Sequence, residues 1–133
     1  MKKYLLDTNI CIFFLQGKYG IVDKIKEVGQ KNCLISEITV AELYFGAYHS
    51  NNKEKHLKET KDFISQFTIL PIFNCLETYA AQKSEMARKG ELIDDFDTLI
   101  GATAISNKII MVTDNVRHLS HLKGIVIDNW IKR

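Results

Sequence analysis

Short runs of branched apolar residues alternate along this chain with longer stretches of helical periodicity, and this alternation restricts the possible folds more than any other feature. Such runs are typical of strands buried in a sheet. Five are present, at residues 3–6, 33–36, 67–72, 109–112 and 125–127. Six stretches between them are predicted to be helices, at residues 8–15, 21–28, 39–48, 52–66, 75–89 and 95–107.

The order of these elements predicts an α/β fold. Strands that alternate with helices form a mostly parallel sheet, here of about five strands, with helices covering both faces. The 133 residues, 46% of them hydrophobic, suit a single domain over residues 1–133 with one core. Ligands of such sheets bind beyond the carboxyl ends of the strands. The residues directly after each predicted strand are therefore the first candidates for a functional site.

Composition and charge exclude several classes of protein. A net charge of +2 permits an acidic partner such as nucleic acid without requiring one. No apolar run approaches the roughly 18 residues of a membrane span, and Asp7 and Asn9 interrupt the N-terminal apolar stretch, so no signal peptide is predicted. An odd number of cysteines in apolar surroundings indicates buried, reduced thiols and a cytoplasmic protein; they are Cys11, Cys33 and Cys75.

Three acidic residues stand among apolar neighbours. Asp7 follows the first predicted strand, with no lysine or arginine in the ten residues after it, and Glu42 and Asp97 lie in ITVAELYFGA and DDFDTLIGATAI. Burying an ionised carboxylate is costly unless it is paired or bound to a metal. If the fold brings the three together, a divalent cation is the simplest means of neutralising them. Oxygen ligands favour Mg²⁺ or Mn²⁺ over zinc.

Each of these acids also has a purely structural interpretation. Asp7 suits the N-cap of the helix that begins at Thr8. The spacing from Thr39 to Glu42 is that of a capping box. The aspartates of residues 94–97 suit the positive end of their helix. All of them lie near helix starts next to strand-like segments, which is also where an active site would collect them.

A further polar group follows the fourth predicted strand, in IIMVTDNVRHL. Thr113, Asp114 and Asn115 lie at another carboxyl end, where a fourth metal ligand or a substrate contact is expected. The same three residues are also ordinary turn formers. The pattern leaves both interpretations open.

Four segments together resemble the PIN-domain ribonucleases, and more narrowly the VapC-type toxins of bacterial toxin–antitoxin pairs. They are LLDTNICI, ISEITVAELYFGA, DFDTLIGATAI and MVTDNVRHLSHLKGIVIDNW, which occur in the family's order from Tyr4 to Trp130. The resemblance implies a three-layer α/β/α PIN-like domain with endoribonuclease activity that depends on Mg²⁺, with Mn²⁺ as an alternative. It also implies a structured RNA substrate such as tRNA, a VapB-like antitoxin and a homodimer.

The resemblance also assigns roles to individual residues. Asp7, Glu42 and Asp97 match the family's catalytic, metal-holding acids. The fourth position of the cluster falls at Asn115, with Asp114 beside it as a possible substitute ligand. The polar residues that match those supporting the metal cluster are Thr8, Asn9 and Thr113. Arg117 is singled out for RNA contact because it follows the strand that leads into the site, and phosphate binding is chiefly electrostatic.

Two alternatives and one departure accompany this interpretation. A non-catalytic PIN-like module that only binds RNA or a protein would typically lose one of the three acids, and all three are present here. A phosphatase of the haloacid-dehalogenase type needs a second aspartate at position 9, where this chain has Asn9. The acidic pair Asp94 and Asp95 departs from the family pattern, and either binds a second ion or caps its helix.

Overall fold

The computed structural model describes residues 1–133 and contains five strands and seven α-helices. The strands are Tyr4–Leu6 (β1), Cys33–Ser36 (β2), Thr68–Leu70 (β3), Ile110–Val112 (β4) and Ile127–Asp128 (β5). The helices are Thr8–Gln16 (α1), Ile21–Val28 (α2), Glu37–Tyr48 (α3), Lys53–Ile64 (α4), Leu76–Lys89 (α5), Asp95–Asn107 (α6) and Val116–Leu119 (α7). Short 3₁₀ turns lie at Gln30–Asn32 and Phe73–Cys75.

The five strands form one sheet in the order β3-β2-β1-β4-β5, and every neighbouring pair is parallel. The chain runs outward from β1 to β3 and then returns to the other side of β1 with β4. The strand order therefore reverses between β1 and β4, the place where sheets of this kind form a ligand-binding crevice. The predicted three-layer α/β fold is confirmed.

Helices cover both faces of the sheet because successive side chains of a strand point to opposite faces. Leu5 belongs to a core with Ile100 and Met111, which α5 and α6 cover. Leu6, the next residue, belongs to the larger core with Ile10 and Phe63, which α1, α2 and α4 cover. The sheet is thus buried on both sides, which accounts for the continuously apolar strands.

Helix α3 lies at the boundary of the two cores, since its Ile38 packs in one core and its Leu43 in the other. It begins at Glu37, two residues earlier than predicted, because the Ser36 hydroxyl caps it by accepting the Ile38 N–H at 3.1 Å. The capping box predicted from Thr39 and Glu42 is therefore wrong. Both side chains are free for other contacts, which are described below.

Most remaining differences from the predicted elements are small. Strand ends differ by up to two residues, and the single turn of α7 was not predicted. The three cysteines are free and buried, as expected. None of the helices combines the length and the apolar character that crossing a bilayer requires.

Candidate active site at the carboxyl end of the sheet

Asp7 lies directly after β1 and is 3% exposed. Its amide N–H donates to the Val112 carbonyl at 2.9 Å, which extends the pairing of β1 with β4. Its carboxylate accepts the Thr8 N–H at 2.8 Å and the Thr113 hydroxyl at 2.7 Å. The predicted N-cap role is confirmed, but it uses only one of the two oxygens. Both donors are neutral, and no cation pairs with this buried acid.

The surroundings of Asp7 disfavour its charged form. The pKa of Asp7 is raised from an ordinary value of 3.8 to about 6, chiefly by burial, and the nearby carboxylates of Asp97 and Glu42 contribute in the same direction. The hydrogen bonds from Thr113 and the Thr8 amide act in the opposite direction and do not offset the burial. A carboxylate held in this way is stabilised by any cation that reaches it.

Glu42 approaches the same place from the second turn of α3. Its carboxylate accepts the Thr8 hydroxyl at 2.6 Å, and the hydroxyl oxygens of Thr8 and Thr39 lie 3.1 Å apart. A hydroxyl has one proton to donate. Because Thr8 gives its proton to Glu42, Thr39, which is fully buried, must donate to Thr8. Thr8 therefore binds Asp7 through its backbone and Glu42 through its side chain.

Asp97 enters the site from the first turn of α6 and is half-buried. Burial raises its pKa, and the charges of Asp94 and Glu42 act in the same direction. The Asn115 amide donates to its carboxylate at 3.4 Å. Asp94 caps α6 through the Phe96 N–H at 2.8 Å, which supports the capping interpretation for this residue.

The neighbouring residues Asp114 and Asn115 have different environments. Both carboxylate oxygens of Asp114 accept from the Arg133 guanidinium, at 3.0 and 2.7 Å, and this hydrogen bonding lowers the pKa of Asp114. Asn129 also donates to Asp114, at 3.3 Å. Of the two candidates for the fourth position, only Asn115 contacts one of the three acids.

The residues predicted to support the acids lie around Asp7. Arg117 is the exception among the predicted site residues. The Asn9 side chain lies 3.5 Å from the Asp7 carboxylate and accepts the Asp114 N–H at 3.4 Å. The Thr113 hydroxyl, besides donating to Asp7, accepts the Asn115 N–H at 2.9 Å. Arg117 is exposed on α7 and forms no ion pair or side-chain hydrogen bond.

The acids are close enough for their charges to interact, but no three acidic, histidine or cysteine side chains are arranged to hold a metal ion in this conformation. The donor set nevertheless suits a hard divalent cation, because it offers carboxylate and amide oxygens without sulfur or imidazole. Asp7 provides a specific test of the fit. It is a buried acid with neutral partners only, which is the environment that a bound cation would neutralise.

Sequence reasoning did not identify Thr39 or Asn129 as parts of this region, and it counted Arg133 among the basic residues at the rim without pairing it with Asp114. Thr39 had a signal, since it lies one helical turn before Glu42, but the spacing was assigned to a capping box. The contact of Arg133 with Asp114 joins residues 19 positions apart and has no local pattern.

Comparisons with known proteins agree with this geometry. Residues 4–124 match the profile of the PIN-domain family. The chain is 34% identical over 131 residues to the tRNA(fMet)-specific endonuclease VapC of Shigella flexneri, covering 98% of this chain and 99% of that protein. It is 35% identical over 136 residues to ribonuclease VapC2 of Haemophilus influenzae, covering 98% and 100%. A chain of the DNA-bound VapBC crystal structure from Salmonella typhimurium matches with a TM-score of 0.90 and 32% identity, covering 98% and 99%.

Proposed function

Because this chain belongs to the PIN-domain family and, within it, to the VapC-type ribonucleases, we propose that it is an Mg²⁺-dependent endoribonuclease, with Mn²⁺ as an alternative cofactor. One observation supports the proposed dependence on a metal ion. Asp7 is buried beside Asp97 and Glu42, and only neutral groups donate to it. Such a cluster is costly to maintain unless a cation binds there.

Asp7, Glu42 and Asp97 would hold the cation, with Asn115 at the fourth position in preference to Asp114. When bound, the cation would supply a water of lowered pKa and would stabilise negative charge on the phosphate. Since the three carboxylates are not arranged for a cation in this conformation, we expect a side-chain rotation on loading. Glu42 is the candidate for that rotation, because the Thr8 hydroxyl is the one hydrogen-bond partner of its carboxylate.

The other residues of the site position these acids. Thr113 and the Thr8 amide fix both oxygens of Asp7, so this acid is oriented before any ligand arrives. Asn115 orients Asp97 in the same way. Arg117 is exposed, and no acid neutralises it. We therefore assign to Arg117 a contact with a phosphate of the RNA, a role that suits the planar guanidinium group.

The substrate is proposed to be a structured RNA that is cut in a single-stranded region, and tRNA is the first candidate. The support is the Shigella relative, which is named a tRNA(fMet)-specific endonuclease. Unpaired loops are also where proteins gain access to RNA bases, since the deep groove of duplex RNA is closed to side chains.

A VapB-like antitoxin is the proposed protein partner, because the structural relatives include VapBC complexes. A groove of about 340 Å³ between α1, α3 and α4 suits an antitoxin segment. Its apolar lining is Ile12, Leu15, Leu43 and Ala47, and Glu42 also lines it. A basic side chain of the antitoxin at Glu42 would compete with the metal.

A homodimer is also proposed from the family, and light scattering on the purified chain would test it.

Cleavage of purified tRNA and total RNA tests the function, with Mg²⁺, with Mn²⁺ and with EDTA. We expect cuts at discrete sites that need the metal and are lost in Asp7→Asn and Asp97→Asn. Asp62→Asn is the matched control, since Asp62 is exposed on α4 and its carboxylate has no partner. Cutting that survives both site variants would refute the carboxylate mechanism. Folded protein that binds RNA without cutting it would support the non-catalytic alternative.

A further inference from the structure

Three consecutive residues after β4 make contacts in two directions. The hydroxyl of Thr113 and the side-chain amide of Asn115 each donate to one of the three acids, at 2.7 and 3.4 Å. Asp114, between them, directs its carboxylate to Arg133 instead. The position of Asn115, the fourth polar group of the site, therefore depends on how this short loop is held on its outer side.

Arg133 holds Asp114 with the geometry of a bidentate ion pair. Its Nη1 and Nη2 atoms donate to the two carboxylate oxygens at 3.0 and 2.7 Å, and Asn129 donates to one of these oxygens at 3.3 Å. Two parallel hydrogen bonds fix the plane of a carboxylate as well as its distance. The Arg133 side chain is 60% exposed but that of Asp114 only 18%, so the acid at which these hydrogen bonds meet is largely enclosed.

The connection between α1 and α2 supports the guanidinium group of Arg133. Its carbon Cζ lies 5.5 Å from the centre of the Tyr19 ring, within the range of a cation–π interaction. The Tyr19 ring also packs edge-on against Phe13 of α1, with 4.8 Å between centroids. Arg133 thus joins the segment after β5 both to α1 and to the loop after β4.

Backbone hydrogen bonds hold the same loop on its inner side. The Asp114 N–H donates to the Asn9 side chain at 3.4 Å. The Asn115 N–H donates to the Thr113 hydroxyl at 2.9 Å. The inner side of the loop is therefore held by neutral groups of the site, and its outer side is held by the ion pair with Arg133.

We propose that Arg133 is a positioning residue of the site, which fixes the loop through Asp114 so that Asn115 stays beside Asp97. The inference rests on the proposed ribonuclease function, in which Asn115 and Asp97 hold the cation together. Arg133 contacts neither the cation nor the reacting phosphate in this role. It acts through the carboxylate of Asp114, which its two hydrogen bonds occupy.

Charge and position predict opposite effects when Arg133 is removed. Loss of its positive charge leaves Asp114 unpaired, which makes the region more negative and attracts a cation more strongly. Loss of position weakens the binding of a cation, because Asn115 and Asp97 are then no longer held side by side. A lower affinity for the cation after removal of Arg133 is therefore an effect that its charge cannot produce.

The test measures Mn²⁺ binding to the full chain by electron paramagnetic resonance, and urea unfolding checks that each variant is folded. Arg133→Ala should weaken binding roughly 3- to 10-fold, less than the about 10- to 100-fold that loss of a ligand's direct hydrogen-bond partner costs, because Arg133 acts through one further residue. Arg133→Lys keeps the charge but lacks the planar fork that forms both hydrogen bonds. Its affinity should lie between those of the parent and Arg133→Ala.

Lys132→Ala is the matched control, because it removes the same charge from the neighbouring residue. Lys132 is exposed and forms no ion pair, so its removal should leave Mn²⁺ binding unchanged or slightly tighter. The effect of Arg133 should also depend on Asp114. In a chain that carries Asp114→Asn, the addition of Arg133→Ala should cause no further loss of affinity, since the contact through which it acts is already broken.

Mn²⁺ binding by Arg133→Ala that equals or exceeds that of the parent overturns the inference. A rise in the KM for RNA with unchanged Mn²⁺ binding overturns it as well and makes Arg133 a phosphate contact. An equal loss in Lys132→Ala, or a further loss in the Asp114→Asn background, also contradicts it. Metal-dependent cutting by the parent, together with any of these results, leaves the proposed ribonuclease function standing. If the parent neither binds Mn²⁺ nor cuts RNA, the proposed function fails and the inference fails with it.

Discussion

Replacing Asp7 by asparagine should stabilise the metal-free protein at neutral pH. Folding raises the pKa of Asp7 from 3.8 to about 6, so the folded state binds this proton more tightly than the unfolded state does. The free energy of unfolding is therefore highest, as far as Asp7 determines it, below pH 4, where this acid is protonated in both states. It falls as the pH rises through 6. A shift of roughly two units corresponds to about 3 kcal/mol at neutral pH, which Asp7→Asn should recover, less the cost of any disturbed hydrogen bond.

Urea unfolding in EDTA from pH 4.5 to 7.5 separates the charge from the hydrogen bonds. The hydrogen-bond cost of the substitution does not depend on pH, whereas the ionisation cost does. The difference in unfolding free energy between Asp7→Asn and the parent should therefore grow by roughly 2 kcal/mol over this range in favour of the variant. Other titrating groups are common to both proteins and largely cancel.

Asp114→Asn provides a control of opposite sign. Arg133 lowers the pKa of Asp114, so the stability from this pair is present above the ordinary pKa of the acid and is lost as the pH falls. Its replacement should destabilise the protein by a nearly constant amount from pH 4.5 to 7.5, because the ordinary and the lowered pKa both lie below this range, and the penalty should shrink only below about pH 4. A difference between Asp7→Asn and the parent that stays flat from pH 4.5 to 7.5 would refute the conclusion that Asp7 is an uncompensated buried acid.

Three further predictions concern the site and its support. Millimolar Mg²⁺ should raise the thermal midpoint of the parent protein by mass action, and Asp7→Asn should abolish the rise; an equal rise in both would place the cation elsewhere. Arg133→Ala should change the unfolding free energy by under about 1 kcal/mol, since the ion pair of Arg133 with Asp114 is partly exposed. It should nevertheless reduce RNA cleavage, because it releases the loop that holds Asn115; unchanged cleavage would contradict this. Gly101→Ala should cost about 1–3 kcal/mol in urea unfolding, because its Cβ would meet Leu122 Cδ1 at 2.1 Å, and a neutral result would mean that Leu122 moves freely.

The sequence predicted the three acids because each breaks a local rule. A carboxylate in an apolar run with no cation at helical spacing is conspicuous in one dimension, and Asp7 could be placed at the carboxyl end of a strand from the pattern alone. The pairing of Thr8 with Glu42 could not be predicted, since it joins residues 34 positions apart. It depends on the parallel pairing of β1 with β2, which fixes where α1 and α3 begin.

Helix boundaries were predictable only where the cap was unambiguous. Asp7 caps α1 as expected, whereas Ser36 and Thr39 competed for the start of α3. Both hydroxyls have cap chemistry, and the choice depends on where β2 ends, which is a property of strand pairing and not of local sequence. Thr39 was thereby left free to donate to Thr8. The error in the helix start and the missed support of Glu42 thus have the same origin.

The distribution of ion pairs in this fold argues for a ligand from solution. Asp95 and Asp114 each have a basic partner, Lys83 and Arg133, at 2.8 and 2.7 Å. Asp97, two residues from Asp95, forms no ion pair, and the one basic group that acts to lower its pKa is His118. A side chain two positions away on a helix points in a different direction, so Lys83 pairs with Asp95 and not with Asp97. If the acids served only to cap helices, a basic neighbour would lower the cost of burying Asp7; the neutral donors at this position instead keep its charge available to an external cation.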